Sequence, residues 1–185
     1  MSIALRQHIQ EIVPLTDAEF EHVLSHFEAK KFKKHQFVIQ EGNYVDYEYF
    51  VTGGLLKAAY VNEEGKEHII QFAMEGWWIS DYQALTRRDK ATLNIDCIEN
   101  VTLLGLSFDN KQKLCSASHK IEHFFRVKTT GGYIALQQRV LSLLNSNAQS
   151  RYEQLLRQQP LLFQRLPKSL IAAYLGVSRE TLSRL

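Results

Sequence analysis

The alternation of apolar and polar positions changes character twice along the chain. From Ile3 to about Ala29 apolar residues recur at helical spacing, with Phe20, Val23, Leu24 and Phe27 sharing a face. Thr16 followed by Glu19 has the spacing of a capping box, which places a helix start just after Thr16. Beyond KKFKKH (Lys30 to His35) the pattern turns into short runs rich in Val, Ile, Tyr and Phe. Gly42, Gly53, Gly54, Gly65 and Gly76 punctuate these runs, and NEEGKE (Asn62 to Glu67) has the composition of a hairpin turn. TLNIDCIENVTLLGLSF adds two further strands, with Leu93, Ile95, Cys97, Val101 and Leu103 expected to face inward. Many short, evenly spaced strands predict an antiparallel barrel or jelly roll.

From about Asp109 the strands cease, and the stretch from His119 to Pro160 reads as a long helix with an expected break near Asn145 to Asn147. Val127, Ile134 and Leu141 lie seven apart, and Phe124, Gly131 and Gln138 interleave with them. This stripe suits a helix that packs along its length on a second helix. Phe124, Val127, Gly131, Ile134, Gln138 and Leu141 are therefore the expected dimer interface, the alternative being a helix that packs only on its own barrel. Gly131 and Gly132 each cost about 1 kcal/mol of helix propensity against alanine, which a close helix–helix approach would offset.

The last segment, LPKSLIAAYLGVSRETLSRL, divides into two short helices around Gly176. Pro167 suits a first helical turn, Ile171 with Leu175 and Leu182 with Leu185 form apolar strips, and Gly176 can take the left-handed conformation that ends the first helix. Ser178 can cap the second helix, and Glu180 complements its dipole. These are the requirements of a helix-turn-helix, whose second helix lies in the DNA major groove. Arg179 at the start of that helix can reach guanine O6 and N7, and Glu180 can accept from a cytosine amine. Arg184 can read a base or hold a phosphate, while Ser178, Thr181, Ser183 and Lys168 complete the expected DNA-binding set.

Charge sharpens this picture. The net charge of +2 divides into +4 over Asn145 to Leu185 and −2 over the preceding 144 residues, a basic end on a slightly acidic body. Cys97 and Cys115 form no CxxC motif, and the histidines form no metal-ligand pair, so buried thiols and no metal are expected. No apolar run is long enough to span a bilayer and the N-terminus lacks a signal layout, which predicts a cytoplasmic protein with no membrane association. Neither the HxH…E…H ligand set of cupin chemistry nor a Cys/His or Ser/His pairing is evident, so no enzyme is expected.

With VIQEG, GGLLKAAYVNEEGKEHIIQF, EGWWI and the terminal IAAYLGVSRETLSRL on the page, the sequence resembles the cyclic-AMP receptor / fumarate–nitrate regulator (Crp/Fnr) superfamily over essentially its whole length. The resemblance implies an α+β fold: N-terminal helices and an antiparallel β-roll over 1–116, a long dimerisation helix over 117–144, and a helix-turn-helix over 145–185. It implies a homodimer on two-fold symmetric double-stranded DNA, with RNA polymerase as a further candidate partner. It also carries Arg179, Glu180 and Arg184 over as base-reading positions. The family's phosphate-binding cassette is altered: Ser80-Asp81-Tyr82 stands for Gly-Glu-Leu, and Lys90-Ala91-Thr92 stands near the Arg-Ser pair. Trp78, Ser80, Asp81, Tyr82, Lys90, Ala91 and Thr92 are thus a candidate effector pocket for which cyclic AMP is not the expected ligand, with plain β-roll core as the alternative for Trp77 and Trp78, and no cofactor is expected. The competing reading is a sensor module that acts through protein contacts, with the helix pair as its docking surface.

Overall fold

A computed structural model describes residues 2–184. Leu185, assigned above to the last apolar strip, lies outside the described residues. The chain opens with α1 (Ser2–Gln10) and α2 (Asp17–Leu24). The capping box forms as expected: the Glu19 amide donates to Thr16 Oγ1 at 3.3 Å and the Thr16 amide donates to Glu19 Oε2 at 2.7 Å. The helical reading through Ala29 overshoots. Phe27–Phe32 is a strand, β1, paired in antiparallel register with Val101–Ser107, β8. Local apolar spacing cannot register a cross-strand partner more than seventy residues away, and that pairing overrides it.

The remaining strands are β2 (Phe37–Ile39), β3 (Tyr47–Gly53), β4 (Leu56–Val61), β5 (Glu67–Ala73), β6 (Trp78–Ile79) and β7 (Asn94–Cys97). They form two four-stranded antiparallel sheets, ordered β1-β8-β3-β6 and β2-β7-β4-β5. Between the sheets lie Val51, Leu56, Ile79, Ile95, Cys97 and Leu103, all fully buried. Of the five residues expected to face inward, Leu93 alone is half-buried. The β3–β4 turn requires glycine at position 54: its φ is +92°, and a Cβ there would sit 2.3 Å from the Asn100 carbonyl oxygen.

Six further helices follow: α4 (Phe108–Ala117), α5 (His119–Asn145), α6 (Ala148–Gln158), α7 (Pro160–Arg165), α8 (Lys168–Leu175) and α9 (Arg179–Leu182). A short helix, α3 (Tyr82–Arg87), interrupts the roll. The expected break near 145–147 is present, with Asn147 capping α6 through Ser150 at 2.9 Å. Ser118 caps α5, so the long helix starts at His119, as the sequence pattern predicts.

A second core joins the outer face of β3 and β8 to the N-terminal helices and the start of α5 through Leu5, Ile9, Phe50, Leu114, Ile121 and Phe124. His8 sits inside it, its ring 5.0 Å from that of Phe50. His8 Nε2 faces Trp78 Nε1 at 3.2 Å, so this nitrogen accepts and carries no proton. Burial, and secondarily the Lys128 ammonium, lowers the His8 pKa to about 4. The unfolded imidazole takes up a proton below about pH 6.5 while the folded one does not. His8's contribution is therefore intact above that pH and erodes as pH falls toward 4, by up to about 3 kcal/mol. Urea midpoints at pH 7 and pH 4.5 should accordingly differ less in His8→Gln than in the unaltered protein. An undiminished difference would assign the acid sensitivity to other groups.

A third core crosses from the roll into the C-terminal helices. Leu55, Ile69, Phe72 and Met74 pack with Leu155, Leu162, Leu166, Ile171, Ala172, Leu175 and Leu182. The Phe72 and Tyr174 rings lie 5.1 Å apart. Arg165, at the end of α7, donates to both oxygens of Glu75 (2.7 and 3.2 Å) and both of Glu99 (3.0 and 2.6 Å), so one guanidinium ties two roll turns to the C-terminal helices.

Candidate functional site

The two C-terminal helices owe their angle to one glycine. Gly176 ends α8 with φ +70°, its amide donating to Ala173 and that of Val177 to Ala172, the pairing that satisfies a helix's last carbonyls. Two residues on, Ser178 accepts from the Thr181 amide at 3.1 Å and starts α9. Leu182 is buried in the third core and anchors the inner face of α9. The outer face presents Ser178, Arg179, Glu180, Thr181, Ser183 and Arg184, all exposed. Ser183 is the C-cap of α9, so Arg184 follows the helix rather than ending it. Its own amide, with the Ser178 hydroxyl, holds the Glu180 carboxyl below the usual range, so it stays an acceptor. Among the described residues Arg179, Arg184 and Lys168 have no carboxylate within salt-bridge distance. Lys168 stands at the start of α8, exposed.

The cassette is built differently from an effector site. Asp81, 3% exposed, caps α3 by accepting from the Ala84 amide at 3.1 Å. Its other oxygen accepts from the Thr92 amide (2.8 Å), the Thr92 hydroxyl (3.1 Å) and the Leu93 amide (3.2 Å). Four internal donors thus occupy the Asp81 carboxylate, the group that the sequence resemblance sets against a ribose-binding glutamate. Ser80 is buried and donates to the Tyr47 carbonyl at 2.9 Å. Ala91 is buried, and Lys90 and Tyr82 are exposed. Of the two readings open for Trp78, core or pocket, the structure places it in the second core, where it packs on Phe27, Phe50 and Phe125 and its indole N–H finds His8. A large ring with one polar edge takes the place that offers both an aromatic box and an acceptor.

Helix α5 divides along its length. Phe124 is 1% exposed, its ring 5.1 Å from Phe125 and 5.8 Å from His8, and so it cannot face a second chain as expected. The first two turns of α5 lie on the roll beside α1, and their apolar face is consumed there. From Val127 onward the helix emerges, leaving Val127, Tyr133, Ile134, Leu136, Val140, Leu141 and Leu144 exposed. Gly131, Gly132 and Gln138 are exposed on the same stretch, and a Cβ at either glycine would meet nothing within 4 Å. Nothing among the described residues requires glycine there.

One residue of consequence was missed by sequence reasoning. Arg139, on the inner side of α5, donates through Nη2 to the carbonyls of Ile69 (2.8 Å) and Tyr174 (3.0 Å), and its guanidinium lies 3.5 Å from the Tyr174 ring centre. It joins the roll, the long helix and α8. A lone arginine among the exposed apolar positions of a helix was the available signal.

Among the described residues no helix is long and apolar enough to cross a membrane, and no group of His, Cys, Asp and Glu is arranged to hold a metal ion. Residues 29–118 match the cyclic nucleotide-binding domain family. No curated protein matches the sequence. Among solved structures the chain is similar to FixK2 from Bradyrhizobium japonicum, with 17% identity and a TM-score of 0.73 over 85% of this chain and 81% of that one. It is similar to the c-di-GMP responsive global regulator CLP of Xanthomonas campestris, with 14% identity and a TM-score of 0.70 over 91% and 89% of the two chains. The catabolite activator protein of Thermus thermophilus aligns with 21% identity and a TM-score of 0.57 over 92% and 81%. The roll, long helix and C-terminal helices thus follow one shared fold.

Proposed function

We propose that this chain, whose roll carries the cyclic nucleotide-binding domain fold and whose architecture is that of Crp/Fnr regulators, is a homodimeric, sequence-specific DNA-binding transcription regulator not controlled by cyclic AMP. The observation that carries this reading is the Ser178-capped turn of α9, anchored by Leu182 and presenting Arg179, Glu180 and Arg184 outward. In this reading residues 1–116 form the roll, 117–144 the dimer helix, and 145–185 the DNA-binding unit. The exposed apolar length of α5 and its two glycines support pairing with a second copy. The internally saturated Asp81 and the outward Lys90 support a roll that has exchanged ribose and phosphate recognition for a structural strut.

Selection from a randomised duplex pool, read by fluorescence anisotropy across salt, tests the reading. Enrichment of a two-fold motif with half-sites about one helical turn apart is expected. Absence of binding even at low salt would favour a protein-docking sensor instead. Within the enriched site, Arg179→Ala should weaken binding by about 1–3 kcal/mol and relax preference at one position per half-site. Equal loss on every sequence would make Arg179 a phosphate clamp.

Asp81 gives a separate prediction. If the carboxylate is a strut, Asp81→Asn turns one acceptor oxygen into a donor facing other donors and should lower stability by about 1–3 kcal/mol without any ligand present. An unchanged urea midpoint would return Asp81 to the role of an effector contact.

A further inference from the structure

Among the described residues, those lining the elbow where α5 passes into α6 include two arginines and no carboxylate. Arg139 and Arg151 line a cavity of about 70 Å³ together with Ser142, Gln154, Gln158 and Tyr174. Each arginine uses part of its fork on backbone carbonyls, one in strand β5 and the others at helix ends. Arg139 Nη2 takes Ile69 and Tyr174. Arg151 Nε donates to Leu175 at 3.0 Å, and its Nη1 donates to the Ser146 carbonyl. Arg139 Nε and Nη1 and Arg151 Nη2 have no acceptor among the described residues. Gln154 is oriented by the Ser142 hydroxyl, which meets its Oε1 at 3.2 Å and leaves its amide hydrogens free to donate. Burial lowers the Arg139 pKa from its ordinary range, as expected of a cation without a nearby counter-charge. The void is several times the roughly 10–15 Å³ that one water requires, yet far below the roughly 300 Å³ at which sites for drug-sized ligands begin.

We propose that this elbow is a binding site for a small oxyanion of phosphate size, held by the free guanidinium N–H groups of Arg139 and Arg151 and by the Gln154 amide. Two planar forks lining one void offer the fixed donor geometry that tetrahedral oxyanions accept. The ion would bridge α5 and α6 directly, and α8 through the carbonyls of Tyr174 and Leu175. Occupancy would therefore fix the helix-turn-helix against the long helix. Binding of the ion stands apart from the DNA-binding reading, whereas its effect on DNA affinity rests on it.

Equilibrium dialysis of the full chain with radiolabelled inorganic phosphate, at constant ionic strength and without DNA, tests the site. One saturable phosphate per chain is expected, with affinity at least about tenfold weaker in Arg139→Met and in Ser142→Leu. The first substitution removes the cation and the second fills the void while leaving both arginines in place. Circular dichroism checks that each variant is folded, and if Arg139→Met is not, Ser142→Leu decides. Non-saturating uptake, or unchanged affinity in a folded Ser142→Leu variant, would overturn the proposal. Sulfate should compete as well as phosphate and adenosine monophosphate more weakly. A better competitor in the nucleotide would replace the free ion with the phosphate head of a larger ligand and overturn the assignment as made. Because no DNA is present, a protein that fails to bind duplexes can still pass this test.

Discussion

Aspartate at both Ile134 and Leu141 is expected to yield a single-chain species in sedimentation and to weaken binding to a two-fold DNA site by roughly 100- to 10,000-fold. Both side chains are about half exposed and touch little of their own chain, so the substitutions leave the three intrachain cores intact. In a dimer each would place charge in an apolar seam, once from each copy and at two levels of the helix. Losing the second copy converts a two-handed grip into one, and the factor lost is the effective concentration with which the first half-site presents the second. Binding to a single half-site should survive. If the mass stays that of two chains, the long helix is not the seam. If the mass halves but affinity holds, the chain reads DNA as a monomer. Arg151 and Leu182, placed in the intrachain network, are unsuitable controls; Glu122→Gln, half-buried on the first turn of α5 and outside the three cores, serves.

Phe72→Ala should destabilise the whole chain by about 3–5 kcal/mol, as a single unfolding transition. Phe72 is 2% exposed and its ring faces Tyr174 across the junction of roll and helix-turn-helix. Removing it opens a cavity that neither side can close without shifting Ile171 or Ile69, residues of the same cluster. A shared core predicts that tyrosine fluorescence and far-ultraviolet dichroism move together in urea. Two separated transitions, with the first assigned to residues 145–185, would show that the junction is an ordinary interface instead.

Much of this was legible before any coordinates. The glycine rhythm marked the strand turns, because positive φ leaves few alternatives, and Gly54 and Gly176 both prove to need it. The terminal helix pair was legible because capping is local: Ser178 sits three residues from the amide it accepts. What escaped depends on distant partners. The strand at Phe27 is set by residues near 101–106. The burial of Phe124 depends on where α1 lands, and the position of Trp78 depends on finding His8 seventy residues away. The cassette could be recognised as altered, but not as closed. Only geometry shows that Asp81 spends its oxygens on Thr92, Leu93 and Ala84. Arg139 escaped for the same reason, since both of its carbonyl acceptors lie at least 35 residues away.

The core shared by Leu55, Ile69, Phe72 and Met74 with the last four helices has a consequence for modularity. Recombination and protein engineering treat a helix-turn-helix as cargo, to be cut at a linker and joined to another sensor. Here the cut near Asn145 would strip Leu162, Ile171 and Leu175 of the apolar floor on which they rest, and leave Arg165 without Glu75 and Glu99. A chimera that keeps the C-terminal helices packed must transplant the β4–β5 hairpin with them, so the heritable unit is discontinuous in sequence.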